Sequence, residues 1–517
     1  MLVRDYLLAQ VRNSGSRTAY VDGERRFSWE DVGDRAMRLA GALVERGVRP
    51  GDAVASFALD GIEMIDLWYA SAILGSVRTG INWRYAPREV EHILRDANVR
   101  LILVETGPPT EALEKLSGSQ GPDTIRFGGA RDRYEAMLAD AEPWGPDSWY
   151  EVTPTDPIAI SYTTGSTGLP KGAIWSQGAV VDAQLHTWLD AGGRRDDVYL
   201  HCIPAAGVPV LLATWNCFVG STIVLQDRFD PGKALELMQT EQVTAVLLIP
   251  TMIADILNHP DFDNFDLSSL RLIIYGSAPT TTTLVKRVID SFACELQQWY
   301  GSTEGAGGWF TILRHEDHLR ALDGPGELLK SCGNPMTHVQ LRTVSEDGNV
   351  CGPGEVGEVC VKSSTLMNGY VGLQKETADT LRDGWLHTGD LGYLDADNFL
   401  YLVDRKKFMI ISGGYNIYPV VVEHVLSEHP AIAEVCVVGV PDERWGEVVC
   451  AAIVVEPSEI VTAGDVIAFC KARLASFEVP KHVVFTESMP RGATGKLLKR
   501  EVKDRLTAEI SPSNVPT

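Results

Sequence analysis

Positive charge is scarce in this sequence. Against 69 Asp and Glu stand only 46 Lys and Arg, a formal net charge of −23 over 517 residues. Such a surface repels nucleic acid and anionic lipid, so neither is expected as a partner. Long apolar runs are also lacking. A membrane helix needs roughly 18 uninterrupted apolar residues. The best candidate, residues 209–225, is broken by Thr214, Asn216 and Gly220, so stable membrane insertion is not expected. The opening MLVRDYLLAQVRNSG holds no apolar core of signal-peptide length. The cysteines number nine, an odd count, and contain no CxxC pair. That pattern excludes a disulfide framework and suits a reducing compartment, so a soluble cytoplasmic protein is expected. There is no internal repeat and no low-complexity segment.

What is present is an alternation of helical and β-branched segments, in a chain long enough for one large domain and a smaller one. Residues 29–46 carry Val32, Ala36, Leu39, Ala40 and Leu43 at helical spacing. DAVASFAL and RLILVE read as strands, with a helix over 63–74 between them. TAVLLIP then MIADIL, and LRLIIYGSAP then TTLVKRVIDSF, repeat the strand-to-helix order. The expected class is therefore α/β, with parallel sheets covered by helices. From Cys332 onward the pattern changes. HVQLRTVSEDGNVCGPGEVGEVCVKS reads as strand, turn, strand, with Glu-Asp-Gly as the turn. GYLDADNFLYLVDRKKFMIISGG reads as a second hairpin region, and the last hundred or so residues return to mixed helix and strand. A charged cluster over 404–407 marks a boundary, giving domains 1–404 and 405–517, and the residues from Ile510 read as a frayed tail.

Three motifs imitate known sites. GPGEVG over 352–357 matches a dinucleotide fingerprint, but a strand-like EVCVKS follows it instead of a helix, so a turn is expected. HEDH over 315–318 has no third ligand nearby and reads as a solvated polar helix face. TTGSTGLPKG over 163–172 is not a Walker loop, because its lysine follows proline and precedes glycine. It still suits a phosphate chain. Gly165, Gly168 and Gly172 allow close backbone approach. Thr163, Thr164, Ser166 and Thr167 supply hydroxyls, and Lys171 supplies a point charge. A flexible connector would not need the apolar strand IAISYT entering and AIWS leaving.

Five segments in fixed order add to this: TTGSTGLPKG, YGSTE (300–304), HTGD (387–390), DRKKFMIISGGYNIYP (404–419) and PRGATGK (490–496). In these the chain resembles the adenylate-forming superfamily of acyl-CoA synthetases, peptide-synthetase adenylation domains and luciferases. The resemblance covers nearly its whole length. GGYNIYP and PDERWGE are similar to the acyl-CoA synthetase branch. The resemblance implies a large N-terminal domain of layered sheets and helices and a small mobile α+β C-terminal domain. It implies activation of a carboxylic acid by ATP and Mg2+ to an acyl-adenylate, then thioester formation with coenzyme A.

It also implies roles. Thr163, Thr164, Ser166, Thr167 and Lys171 hold phosphates. Gly276, Ser277 and Ala278 line the nucleotide site, and Tyr300 offers a ring for adenine. Thr303 bonds a phosphate oxygen, and Glu304 is the magnesium ligand. Asp390 accepts both ribose hydroxyls, and Arg405 donates to the same ribose. Lys496 bridges the attacking carboxylate and the α-phosphate, two anions that need a cation between them. Lys407 is the hinge, and Gly413 and Gly414 line the pantetheine channel. Gly207, Ser277, Gly305 and Ala306 shape the acyl pocket. Taken singly, Tyr300 reads as a packed aromatic, Asp390 as a turn residue and 405–407 as a solvated charge run; their joint occurrence reverses this. Arg491, Lys496, Lys499, Arg500, Lys503 and Arg505 form a basic end on an acidic protein, and ATP and coenzyme A are polyanions.

One position departs from the pattern. Relatives carry a His or aromatic three residues after a proline; in IPAAGVP that position is Gly207. A wider doorway for a bulky acyl group is expected, and a slow adenylation step is the alternative consequence. Three readings follow: an acyl-CoA synthetase, a ligase that takes preformed acyl-adenylate, and a non-catalytic nucleotide-binding protein on this fold. A homodimer is compatible with each.

Overall fold

The computed structural model describes every residue except 117–121, 130–132, 164–168, 278–279, 325, 413–414, 443, 458, 493–496 and 511–517, and the side chains of residues 407 and 416. By packing, the chain divides into two units. One comprises Met1–Leu341 and Val361–Leu386, the other Arg342–Cys360 and His387–Thr517.

The first unit is built on two sheets. In one, the strands Glu295–Gly301, Leu272–Gly276, Ala245–Leu248, Val198–His201, Thr222–Leu225 and Thr18–Asp22 lie side by side and parallel, with antiparallel strands added at both edges. In the other, Pro157–Thr163, Val77–Ile81, Ala53–Phe57, Leu101–Glu105 and Asp123–Phe127 are parallel neighbours. Strands of this kind, covered on both faces, read as near-continuous apolar runs. The helix Trp29–Glu45 buries Val32, Ala36, Leu39, Ala40 and Leu43, the expected stripe. It starts at Ser28 because the serine hydroxyl accepts the Asp31 amide while the Asp31 carboxylate accepts the Ser28 amide.

The second parallel sheet ends in a hairpin. Pro157–Thr163 runs antiparallel to Lys171–Ser176, with Thr163 opposite Lys171, the first and ninth residues of TTGSTGLPKG. Gly369–Tyr370 then pairs with Lys171–Ser176 as the outermost strand.

In the second unit, Ile432–Asp442 and Gly446–Val455 form a long antiparallel pair beside His482–Phe485. The helices Pro419–Ser427, Ala463–Lys471 and Lys499–Ile510 contribute buried residues to its two cores. The expected hairpins are present. Glu346, Asp347 and Gly348 turn the chain after Gln340–Val344, with Gly348 at φ 82°. GPGEVG is a turn leading into the strand Gly357–Lys362. Trp385–Leu394 pairs with Leu400–Arg405.

HEDH requires a correction. It begins the helix His315–Leu322, but His318 is wholly buried, not solvated. The Tyr275 hydroxyl lies 2.9 Å from its Nε2, and its Nδ1 donates to the Arg314 carbonyl at 2.7 Å. With both nitrogens partnered, a neutral imidazole fits a core; desolvation by burial lowers its pKa to about 4. The basic end is partly paired. Lys499 pairs with Glu423 at 2.9 Å, Lys503 with Glu447 at 2.7 Å, and Arg491 with Glu434.

Candidate active site

The hairpin Pro157–Ser176 delivers Lys171 to the edge where Gly369–Tyr370 is added. The Lys171 ammonium lies 5.5 Å from the centroid of the Tyr370 ring, a cation over an aromatic face. The Tyr370 hydroxyl donates to Glu304 Oε1 at 2.7 Å. Glu304 is held from the backbone as well, its carbonyl accepting the Met367 amide at 2.8 Å. The carbonyl of Thr303 accepts from Trp175 Nε1 at 2.9 Å, and Trp175 stands on the same strand as Lys171. Lysine, tyrosine and glutamate thus meet beside the hairpin Pro157–Ser176. Thr163 makes a long contact across it, its hydroxyl 3.5 Å from the Lys171 carbonyl.

Glu304 suits a hard divalent cation. Tyr370 orients one carboxylate oxygen, and Oε2 has no hydrogen-bond partner among the described residues. No group of three His, Cys, Asp or Glu residues able to hold a metal exists among the described residues. An ion here would depend on a ligand's phosphates for the rest of its shell, which is how magnesium is usually bound with nucleotides.

Tyr300 is the penultimate residue of the strand Glu295–Gly301 and packs edge-on against Phe310, ring centroids 5.8 Å apart. Gly276 ends the neighbouring parallel strand. After these strands come two non-glycine residues in the left-handed region, Ser277 at φ 66° and Ala306 at φ 48°. Such a conformation costs on the order of 1 to 3 kcal/mol and concentrates at functional sites. Beyond Gly305 and Ala306 the chain lies tight against the short helix Pro209–Leu212. A β-carbon on Gly307, at φ 76°, would come within 1.9 Å of Leu211 Cδ1. The structure therefore brings the 305–307 segment to the helix that begins just after Gly207.

Among the described residues, its chain neighbours aside, a β-carbon built on Gly207 meets one atom within 4 Å, Ser161 Oγ at 3.5 Å. Ser161 is 3% exposed, and its hydroxyl has no hydrogen-bond partner among the described residues.

Comparison with known proteins decides the family. A sequence model of the AMP-binding enzyme family matches residues 7–371, and one of the AMP-binding enzyme C-terminal domain matches residues 421–496. The chain belongs to the AMP-binding enzyme family. It is 35% identical over 498 residues to a feruloyl-CoA synthase of an Amycolatopsis species, covering 96% of this chain and 97% of that one. An indoleacetate–CoA ligase of Aromatoleum aromaticum is 35% identical over 495 residues, 94% of each chain. The o-succinylbenzoate CoA synthetase of Bacillus subtilis, solved with its acyl-adenylate, superposes with a TM-score of 0.85 at 28% identity, over 96% of this chain and 98% of that one. The mixed α/β, two-part adenylate-forming fold implied by the five motifs is the fold observed, and these full-length relatives fall in the acid–thiol ligase branch.

Within the family frame, Asp390 and Arg405 belong to the second unit. They stand opposite each other on the pair Trp385–Leu394 and Leu400–Arg405, with Arg405 Nε 2.8 Å from Asp390 Oδ1. Asp390 is buried and Arg405 half exposed. Thr164, Ser166, Thr167, Ala278, Gly413, Gly414 and Lys496 lie outside the described residues, as does the Lys407 side chain. Tyr370 was not singled out from the sequence. It sits 66 residues from Glu304, and MNGYVG carries only a turn signal. The available clue was a tyrosine between glycines, which is weak without the sheet edge it occupies.

Proposed function

We propose that this AMP-binding enzyme activates a bulky, cyclic carboxylic acid and transfers its acyl group to coenzyme A. In the first half-reaction a carboxylate oxygen bonds to the α-phosphorus of ATP, the bond to the β-phosphate oxygen breaks, and pyrophosphate leaves. In the second, the thiolate of coenzyme A bonds to the acyl carbon, the carbon–oxygen bond to the phosphate breaks, and AMP leaves. The observation that carries the choice of acid is the position of Gly207, where an added β-carbon meets, among the described residues beyond its chain neighbours, Ser161 Oγ alone. The acyl group is assigned to the space beside it, because a glycine there leaves the wall without a side chain. Relatives named for feruloyl, indoleacetate and o-succinylbenzoate substrates support the same class.

In this reading Lys171 and Thr163, with Thr164, Ser166 and Thr167, hold the β- and γ-phosphates. Magnesium, when bound by Glu304, supplies charge neutralisation on the phosphates. Tyr370 keeps the Glu304 carboxylate aimed. Thr303 bonds phosphate, Tyr300 stacks on adenine beside 276–278, and Asp390 and Arg405 hold the ribose. Lys496 neutralises the meeting anions. The movable domain begins at the 404/405 boundary, with Lys407 as its pivot and Gly413 and Gly414 along the thiol's path. A reducing cytoplasmic setting belongs to the same proposal, supported by nine cysteines that form no disulfide. The alternative in which acyl-adenylate is supplied ready-made is not favoured, because the full-length relatives are named as ligases of free acids. The test is pyrophosphate release with ATP and a panel of aryl and straight-chain acids, followed by thioester formation on adding coenzyme A. Release only with straight-chain acids overturns the assignment of the acid. Thioester formation from supplied acyl-adenylate, with no pyrophosphate from any acid, overturns the first half-reaction.

A further inference from the structure

Residues 204–207 form no regular element, yet their backbone is tied to charged groups. Asp60, 7% exposed, accepts the Ala205 amide with its two oxygens at 3.0 and 3.1 Å. Arg78, 2% exposed on the strand Val77–Ile81, donates to the Ala205 carbonyl at 2.9 Å, the Ala206 carbonyl at 3.2 Å and the Ser56 hydroxyl at 3.1 Å. Both polar backbone atoms of Ala205 are therefore held by ionic side chains. Two residues along the strand, a β-carbon on Gly80 would come within 2.1 Å of the Ala206 oxygen, so strand and loop touch backbone to backbone. His201 Nε2 completes the cluster, 3.4 Å from Asp60 Oδ2.

Stability is a weak reason for such a cluster. Desolvation of buried charges offsets most of what their contacts return, and apolar replacements are often no worse. Fixing a conformation is the better-supported use. What is fixed here is the peptide that leads directly into Gly207. We propose that Asp60 and Arg78 are positioning residues for the acyl pocket: they lock the backbone at Ala205 and Ala206 so that the space beside Gly207 keeps one width, and so set which acid is accepted. The proposal rests on the reading that Gly207 lines that pocket.

The experiment compares Arg78→Met, Arg78→Lys and Gly207→Leu with the parent. It measures kcat and KM in pyrophosphate release for a bulky aryl acid, a straight-chain acid and ATP, with melting temperature recorded alongside. Arg78→Met should change the aryl-to-straight-chain ratio of kcat/KM by about ten-fold, the effect of losing hydrogen bonds from a charged group. The shift should appear in the KM for acid, with the KM for ATP unchanged. Arg78→Lys keeps the charge, but as a point donor it cannot span two carbonyls, so it should give a partial shift. Should Arg78→Met fail to fold, Arg78→Lys decides: no change in its ratio overturns the proposal. Equal changes in the KM values for acid and ATP, tracking a fall in melting temperature, would mark a merely structural role and also overturn it. Gly207→Leu separates the two layers. If it moves the ratio and the Arg78 variants do not, only the positioning role falls. If it leaves the ratio unmoved, the pocket reading beneath it falls.

Discussion

At the scale of single residues, the site depends on groups whose value is charge or its absence. Lys496 is proposed for one moment, when a carboxylate approaches the α-phosphate. Lys496→Ala should therefore abolish acyl-adenylate formation and spare thioester formation from supplied acyl-adenylate. The first barrier should rise by about 3 kcal/mol or more. Single-turnover measurement of each half-reaction checks this, and equal losses in both would refute it. Gly207 acts through absence. At Gly207 a β-carbon is accommodated among the described residues, Ser161 Oγ lying 3.5 Å away, and Gly207→His extends a ring from it. It should depress kcat/KM for a bulky aryl acid while raising adenylation of small acids, by adding a donor near the α-phosphate. An unchanged ratio between the two acids would show that this position does not set the pocket.

Secondary elements show why some of this was readable and some was not. The strands Pro157–Thr163 and Lys171–Ser176 were legible because an apolar run enters and another leaves a stretch of small hydroxyl residues and glycines. The hairpin pairing Asp390 with Arg405 was legible from alternation on both sides of a turn. Arg78 was not, because it stands in an otherwise uncharged strand segment and its partners, Ala205 and Ala206, are over 125 residues away with no polar side chains to advertise them. His318 was misread for a related reason: the acid-rich face of HEDH suggested solvent, while the deciding partner, Tyr275, lies on a distant strand. That helix makes a prediction of its own. Its buried imidazole has a folded pKa of about 4, below the ordinary 6.5 of the unfolded chain. Between those values the unfolded state binds the extra proton, so stability is present above pH 6.5 and is lost as pH falls toward 4. Relative to His318→Gln, the parent should lose about 2 kcal/mol of stability between pH 7.5 and 5. Denaturant titrations of both proteins at the two pH values provide the measure. Parallel pH dependence in the two would show that the histidine is not held neutral.

For the whole molecule, the chemistry sets a problem that one rigid arrangement does not solve. A lysine proposed to screen two anions during adenylation cannot also serve the second half-reaction if the thiol must enter where it sits. In the proposed reading the C-terminal domain turns about Lys407 between the half-reactions. A backbone pivot needs freedom in φ. Proline fixes φ near −65° and removes the amide donor. Lys407→Pro should thus leave the motion blocked without touching any group in contact with ATP. The expectation is the reverse of Lys496→Ala: pyrophosphate release on mixing acid and ATP continues, while thioester formation from supplied acyl-adenylate collapses. A Lys407→Ala control keeps φ open and should retain both activities, which separates loss of the pivot from loss of the ammonium. If Lys407→Pro turns over acyl-adenylate with coenzyme A as fast as the alanine control, the pivot lies elsewhere. The 404/405 boundary would then not be a joint used in the reaction.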